Sequence, residues 1–168
     1  MLAIALRVIA PRMNLAELLS PKRVIANMKA AEHWPAIEEL VDHLIKIGDL
    51  PESKRVSVLN AFRDREDQCS TGIGAGIAIP HAFLDDIDHV IAVFGRSIEG
   101  IDFCSLDNAP VHYVVLFVVP RSQYTLHLRT LAAIAKKLNS GDVRGHLAEA
   151  RGAHDIIKVL AEPAPARV

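Results

Sequence analysis

Hydrophobic positions recur at helical spacing in several stretches of the chain. Ile37, Leu40, Val41, Leu44 and Ile45 fall on one face of a helix opened by Pro35. Gly48 stands where the helix needs a C-terminal stop. A second helix is predicted after Pro51, with Val56, Leu59 and Phe62 on one face, ending in the charged run Arg63-Asp64-Arg65-Glu66-Asp67. A longer helix is predicted over about residues 125–139, with Leu131, Ile134 and Leu138 as its apolar stripe. His127 lies four residues before Leu131 and continues that stripe at the helix start. Ser140-Gly141 breaks this helix, and two shorter ones are predicted over residues 143–150 and 153–161.

Other stretches carry a strand signature. Residues 111–119 are β-branched and almost continuously apolar, which predicts a central strand buried on both faces and terminated by Pro120. Residues 89–96 predict a second strand, and Arg23-Val24-Ile25-Ala26 a short one after a helical turn near Leu15. Gly100 and Asp107-Asn108 signal turns between the two longer strands. The order is helices, strands, helices, which implies a mixed sheet with helices packed on it. Neither an internal repeat nor an interdomain linker is evident.

Composition fits a single domain of ordinary size. Of 168 residues, 51% are hydrophobic and 23% charged, enough for a sizeable core. Aromatics are scarce at 5%, so Ile, Leu, Val and Ala must build that core. The formal net charge is −1, from 19 basic and 20 acidic residues, which gives no general pull toward nucleic acid or an anionic membrane. Cys69 and Cys104 form no CxxC pair, so neither a disulfide framework nor a zinc site is indicated; small buried fillers in a reducing cytoplasm are expected. Residues 1–13 are mostly apolar but hold Arg7, Pro11 and Arg12 and are too few to span a bilayer. A flexible leader is expected there, a single domain over residues 14–161, and a loose tail over 162–168.

The chemistry concentrates in residues 70–81, Ser-Thr-Gly-Ile-Gly-Ala-Gly-Ile-Ala-Ile-Pro-His. Glycines at alternate positions lead into a brief apolar strand, Ile77-Ala78-Ile79. Pro80 is expected to end it, leaving His81 on a short loop at the strand mouth. A nucleotide-binding loop does not fit. No lysine follows the glycines, Ile77 stands where the third glycine of GxGxxG would be, and the glycines precede a strand instead of opening a helix. Metal binding is not indicated either. His33, His43, His89, His112, His146 and His154 are scattered and read as surface or satisfied half-buried histidines. His127 is different, because it faces inward at a helix N-terminus, where unsatisfied N–H groups favour an anion. On these residues alone, two unrelated half-buried histidines remain the favoured reading of His81 and His127.

The run from Ser70 to His81 resembles the active-site signature of enzyme IIA domains of the fructose/mannitol type (PTS EIIA type-2). These belong to the bacterial phosphoenolpyruvate-dependent phosphotransferase system, and the nitrogen-regulatory branch is the most similar. The segments Leu18-Leu19-Ser20-Pro21-Lys22-Arg23-Val24, Ala36-Ile37-Glu38-Glu39-Leu40-Val41, Arg65-Glu66, Leu106-Asp107-Asn108-Ala109-Pro110-Val111 and His127-Leu128-Arg129-Thr130-Leu131-Ala132 resemble the family in the family's order. Cys69 and Ala82 stand where the family more often has glycine.

The resemblance implies an α/β fold, a mixed central β-sheet sandwiched by helices on both sides. It implies that His81 accepts a phosphoryl group at Nε2 from the histidine of HPr or its nitrogen-branch relative. His127 would stand beside it, and Arg65 would line the site. The added phosphate brings about two negative charges, which Arg65 and His127 could offset. Ser70 and Thr71 are weaker candidates for the same task. No metal or organic cofactor is implied. The onward partner would be a IIB protein or a regulatory target. A free-standing chain of this kind favours a regulatory output, with the IIA subunit of a sugar transporter or a purely binding module as alternatives. A cytoplasmic location follows from the same resemblance, with no membrane insertion.

Overall fold

The computed structural model describes residues 15–163; the expected leader, residues 1–13, and residues 164–168 of the expected tail lie outside them. A short helix α1 (Leu15–Leu18) and a 3-10 turn lead into strand β1 (Val24–Ile25). Helices α2 (His33–Lys46) and α3 (Arg55–Gln68) follow. Strands β2 (Gly72–Gly74), β3 (Ile77–Ala78), β4 (His81–Leu84), β5 (Ile91–Ile101) and β6 (Val111–Pro120) come next. Helices α4 (Tyr124–Leu138), α5 (Gly141–Glu149) and α6 (Ala153–Ala161) complete the described chain.

The sheet order is β1-β5-β6-β3-β2, with β4 also pairing β6. It is mixed: β5 and β6 are antiparallel, whereas β1 is parallel to β5, and both β3 and β4 are parallel to β6. β6 is central, as its unbroken apolar sequence predicts. Successive residues of a strand face opposite sides, and β6 divides accordingly. Val114, Leu116 and Val118 join one core with Ile37, Leu40, Leu44, Val58 and Phe62 from α2 and α3. Tyr113, Val115, Phe117 and Val119 join a second core with Ile134, Leu138, Leu147, Ile156 and Leu160 from α4, α5 and α6. Helices thus cover both faces of a mixed sheet.

Four details differ from the sequence reading. Gly100, expected to mark a turn, lies inside β5, where its positive φ (92°) accompanies a register shift against β6. A 3-10 turn at Glu52–Lys54 delays the start of α3 to Arg55, so its buried face is Val58, Leu59 and Phe62 and Val56 is 68% exposed. Pro80 does not end the strand. β3 and β4 share one register against β6, with Ile77 opposite Tyr113 and His81 opposite Phe117. Between them, the Pro80 carbonyl still accepts the Phe117 N–H at 2.9 Å, so the missing proline N–H makes only a local break. His81 is therefore the first residue of a strand and not part of a loop. Finally, Cys69 and Cys104 are exposed free thiols. They lie just past α3 and in a left-handed turn (Cys104 φ 53°), outside the packed elements.

The glycine run is the hairpin of β2 and β3. Gly74, Ala75 and Gly76 all adopt positive φ (95°, 55° and 77°), a conformation costly for most residues and open to glycine. Asp107 secures the turn by accepting the Ala75 N–H at 3.0 Å.

Candidate active site

His81 pairs with Phe117 across the ladder, so its side chain lies on the face covered by α4. Its Nδ1 lies 2.9 Å from the carbonyl oxygen of Ile79. A carbonyl can only accept, so Nδ1 carries the hydrogen and Nε2 keeps its lone pair. The Nε–H of Arg65 donates to that Nε2 at 3.3 Å. Arg65 comes from the last turn of α3, which packs on the opposite face of the sheet. A second hydrogen bond, from its Nη1 to the Cys69 carbonyl at 2.9 Å, holds its guanidinium. Burial pulls the His81 pKa below the ordinary histidine value; the bond to Ile79 opposes this and the Arg65 charge reinforces it. His81 is neutral at neutral pH.

His127, on the first turn of α4, is 1% exposed. Its ring centroid lies 6.1 Å from that of His81, 5.0 Å from Phe117 and 5.8 Å from Phe83. Neither ring nitrogen has a hydrogen-bond partner. Burial, with a smaller contribution from His81, pushes its pKa down to about 4. Tyr124 packs at a tilt against Phe83, ring centroids 4.9 Å apart, and closes the aromatic surround.

An open cleft of about 280 Å³ lies in front of His81, lined by Arg65, Ser70, Thr71, Ile79, His81 and Leu131 among others. The structure thus brings His81, Arg65, His127, Ser70 and Thr71 into one region. The hydroxyl protons of the two last residues are already committed. Ser70 Oγ donates to the Phe103 carbonyl at 2.9 Å and accepts the Gly72 N–H at 3.1 Å. The Thr71 hydroxyl donates to Glu66 Oε1, and the Thr71 N–H donates to Glu66 Oε2 at 3.1 Å.

Glu66 has no assigned part in the sequence reading, yet its side chain is only 4% exposed. Burial alone would raise its pKa, but hydrogen bonds from His33 and Thr71 hold it below the ordinary carboxylate value. A signal was present: Glu66 is four residues past the buried Phe62, on the inward face of α3. Three aspartates follow His81 closely in the chain, and each has a partner within it. Asp86 binds Lys54, Asp85 binds Arg121 at 2.9 Å, and Asp88 binds His89 at 2.5 Å. Among the described residues, no group of three or more His, Cys, Asp or Glu is placed to hold a metal ion. No described helix is long and apolar enough to cross a membrane.

Comparison with known proteins places the chain in a family. Residues 17–162 match the model of the phosphoenolpyruvate-dependent sugar phosphotransferase system, EIIA 2. The chain is 32% identical over 151 residues to a nitrogen regulatory protein of Bradyrhizobium diazoefficiens, covering 90% of this chain and 97% of that one. It is 35% identical over 148 residues, or 88% of its length, to the fructose-specific EIIABC component of Bacillus subtilis, of which it spans only 23%. Its fold matches the nitrogen regulatory protein IIA-Ntr of Neisseria meningitidis with a TM-score of 0.78 and 26% identity, covering 86% of this chain and 97% of that one. The chain belongs to the EIIA 2 family of the phosphoenolpyruvate-dependent sugar phosphotransferase system, a family of phosphoryl carriers.

Proposed function

We propose that His81 is the phosphoryl-accepting residue, taking phosphate from the phosphohistidine of HPr or its nitrogen-branch relative. The observation that carries this reading is the hydrogen bond from His81 Nδ1 to Ile79. It leaves a lone pair on Nε2 beside the Arg65 guanidinium, at a cleft open to solvent. In the transfer, the Nε2 lone pair forms a bond to phosphorus while the donor's P–N bond breaks. The electron pair of that bond returns to the donor imidazole. The hydrogen stays on Nδ1, still donated to the Ile79 carbonyl, so His81 needs no separate base.

Arg65 would turn from Nε2 to the arriving phosphoryl oxygens, where charge-assisted hydrogen bonds are strong. His127 is close enough to donate a hydrogen bond to the same group. Its unpartnered nitrogens leave it able to donate a hydrogen bond without breaking an existing one. Ser70 and Thr71 act on the shape of the site, since their hydroxyl protons are engaged within the protein. The step is one of positioning and electrostatics, and the chain's own groups suffice for it.

The phosphoryl group then passes to a IIB protein, or the phosphorylated and free forms differ in binding a regulatory target. The likeness to a nitrogen regulatory protein along nearly the whole of both chains supports the regulatory output. The likeness to a fructose-specific EIIABC component supports the transporter reading. Either role places the protein in the cytoplasm with its donor. The test is incubation with phosphoenolpyruvate, enzyme I and HPr, or their nitrogen-branch counterparts. Acid-labile, base-stable phosphate should appear on the wild type. Its absence with every cognate donor would sink the carrier reading. Presenting the labelled protein with a IIB domain then separates the two outputs: rapid loss of label favours the transporter.

A further inference from the structure

Glu66 lies one residue from Arg65; its charge acts on His81 through space, raising that pKa slightly, and its hydrogen-bonded connection to that histidine runs through the β2–β3 hairpin. The carboxylate takes both donors of Thr71, the N–H and the hydroxyl. The Thr71 carbonyl accepts the Ile79 N–H at 3.0 Å. The Ile79 carbonyl in turn accepts His81 Nδ1–H at 2.9 Å. At the other end, the Nε2–H of His33, the first residue of α2, donates to Glu66 at 2.8 Å, with its ring against Phe103 at 4.3 Å. One carboxylate therefore fixes Thr71, Thr71 fixes Ile79, and Ile79 fixes the hydrogen on His81.

We infer that Glu66 is a positioning residue for the phosphoryl-accepting histidine: anchored by His33, it holds Thr71 and, through the backbone on either side of the Ile79 Cα, keeps His81 in the Nδ1–H tautomer. The physical case has two parts. A buried carboxylate is costly unless its oxygens are fully engaged, and these accept hydrogen bonds from two separate elements. A histidine's reactive nitrogen is set by whatever its other nitrogen binds, so the precision of the Ile79 carbonyl becomes the precision of the nucleophile. Thr71 is 3% exposed and has no free hydroxyl proton, which fits a strut better than a ligand contact.

The experiment reads the tautomer and the rate separately. Imidazole ¹⁵N shifts of His81 report which nitrogen carries the hydrogen, and they need no phosphoryl donor. The rate of labelling by the phosphorylated HPr-type donor is the second reading, and this part rests on the carrier proposal. In Glu66→Ala the Nδ1–H form should lose its dominance and labelling should slow about 10-fold, the usual scale for losing such an outer partner. Glu66→Gln, which keeps an oxygen for the Thr71 hydroxyl, should recover much of both. Thr71→Val, which removes the hydroxyl at similar volume, should fall between wild type and Glu66→Ala. Should Glu66→Ala not fold, the other two variants carry the same comparison. Slower labelling with unmoved His81 shifts, or moved shifts with an unchanged rate, would overturn the inference. Absence of label on the wild type faults the carrier proposal; a tautomer indifferent to Glu66 faults this one.

Discussion

His81 and His127 stand with ring centroids 6.1 Å apart, yet the protein treats them in opposite ways. His81 has a partner on each nitrogen: the Ile79 carbonyl on one side and the Arg65 guanidinium on the other. His127 has none, although it is the more deeply buried. Unpaired buried polar groups are rare and carry a cost of about 1–3 kcal/mol each. The tied histidine sits on a strand locked to the central strand of the sheet. The untied one sits at a helix start among aromatic rings. On the proposed function, the difference separates a nucleophile that must present one nitrogen in one direction from a companion whose donor is useful only when it is uncommitted.

The largest expected effect removes the tied member. His81→Ala should abolish labelling by the HPr-type donor while circular dichroism stays native; equal labelling of this variant would refute the assignment. The next effect is on stability and belongs to the untied member. Its pKa is about 4 in the folded protein against about 6.5 unfolded. The unfolded chain therefore binds a proton that the folded chain excludes, and stability falls as pH drops from 6.5 through 4. Over that window the loss approaches about 3 kcal/mol. Urea midpoints should show His127→Leu gaining on the wild type between pH 7 and pH 4.5. A constant gap would contradict the account.

A smaller effect is expected at Arg65. Arg65→Ala should slow labelling about 30-fold, the worth of a charge-assisted hydrogen bond near 2 kcal/mol. Arg65→Lys should recover it only in part, because one ammonium cannot hold both Nε2 or phosphate and the Cys69 carbonyl. The smallest change in labelling is expected at the untied member: His127→Ala should still accept phosphate, with onward transfer slowed about 10-fold as one donor to the phosphoryl group is lost. Stopped-flow mixing with an acceptor would measure this, and unimpaired transfer would leave His127 no part in the second step.

Periodicity made much of this architecture legible before any coordinates. The apolar run of residues 111–119 could only be satisfied by a strand buried on both faces, and β6 is that strand. The stripe through Ile134 and Leu138 set which way α4 faces, and so carried His127 inward. What escaped depended on contacts between distant segments. Nothing local to Pro80 reveals that His81 resumes the same register against β6. Cysteine as a residue type suggests burial but says little about positions just outside an element, where Cys69 and Cys104 lie exposed. A carboxylate inside a charged run reads as solvated, which hides Glu66. Its burial is explained only by His33 and Thr71, which the fold brings to it from either side.

On the proposed function, Nε2 of His81 takes the phosphoryl group because Nδ1 is already held by the Ile79 carbonyl. The most direct measurement is ¹⁵N–³¹P coupling in uniformly ¹⁵N-labelled protein phosphorylated by its HPr-type donor. The account predicts coupling to Nε2 of His81, with Nδ1 still protonated. Coupling to Nδ1 of His81, or to either nitrogen of His127, would contradict it.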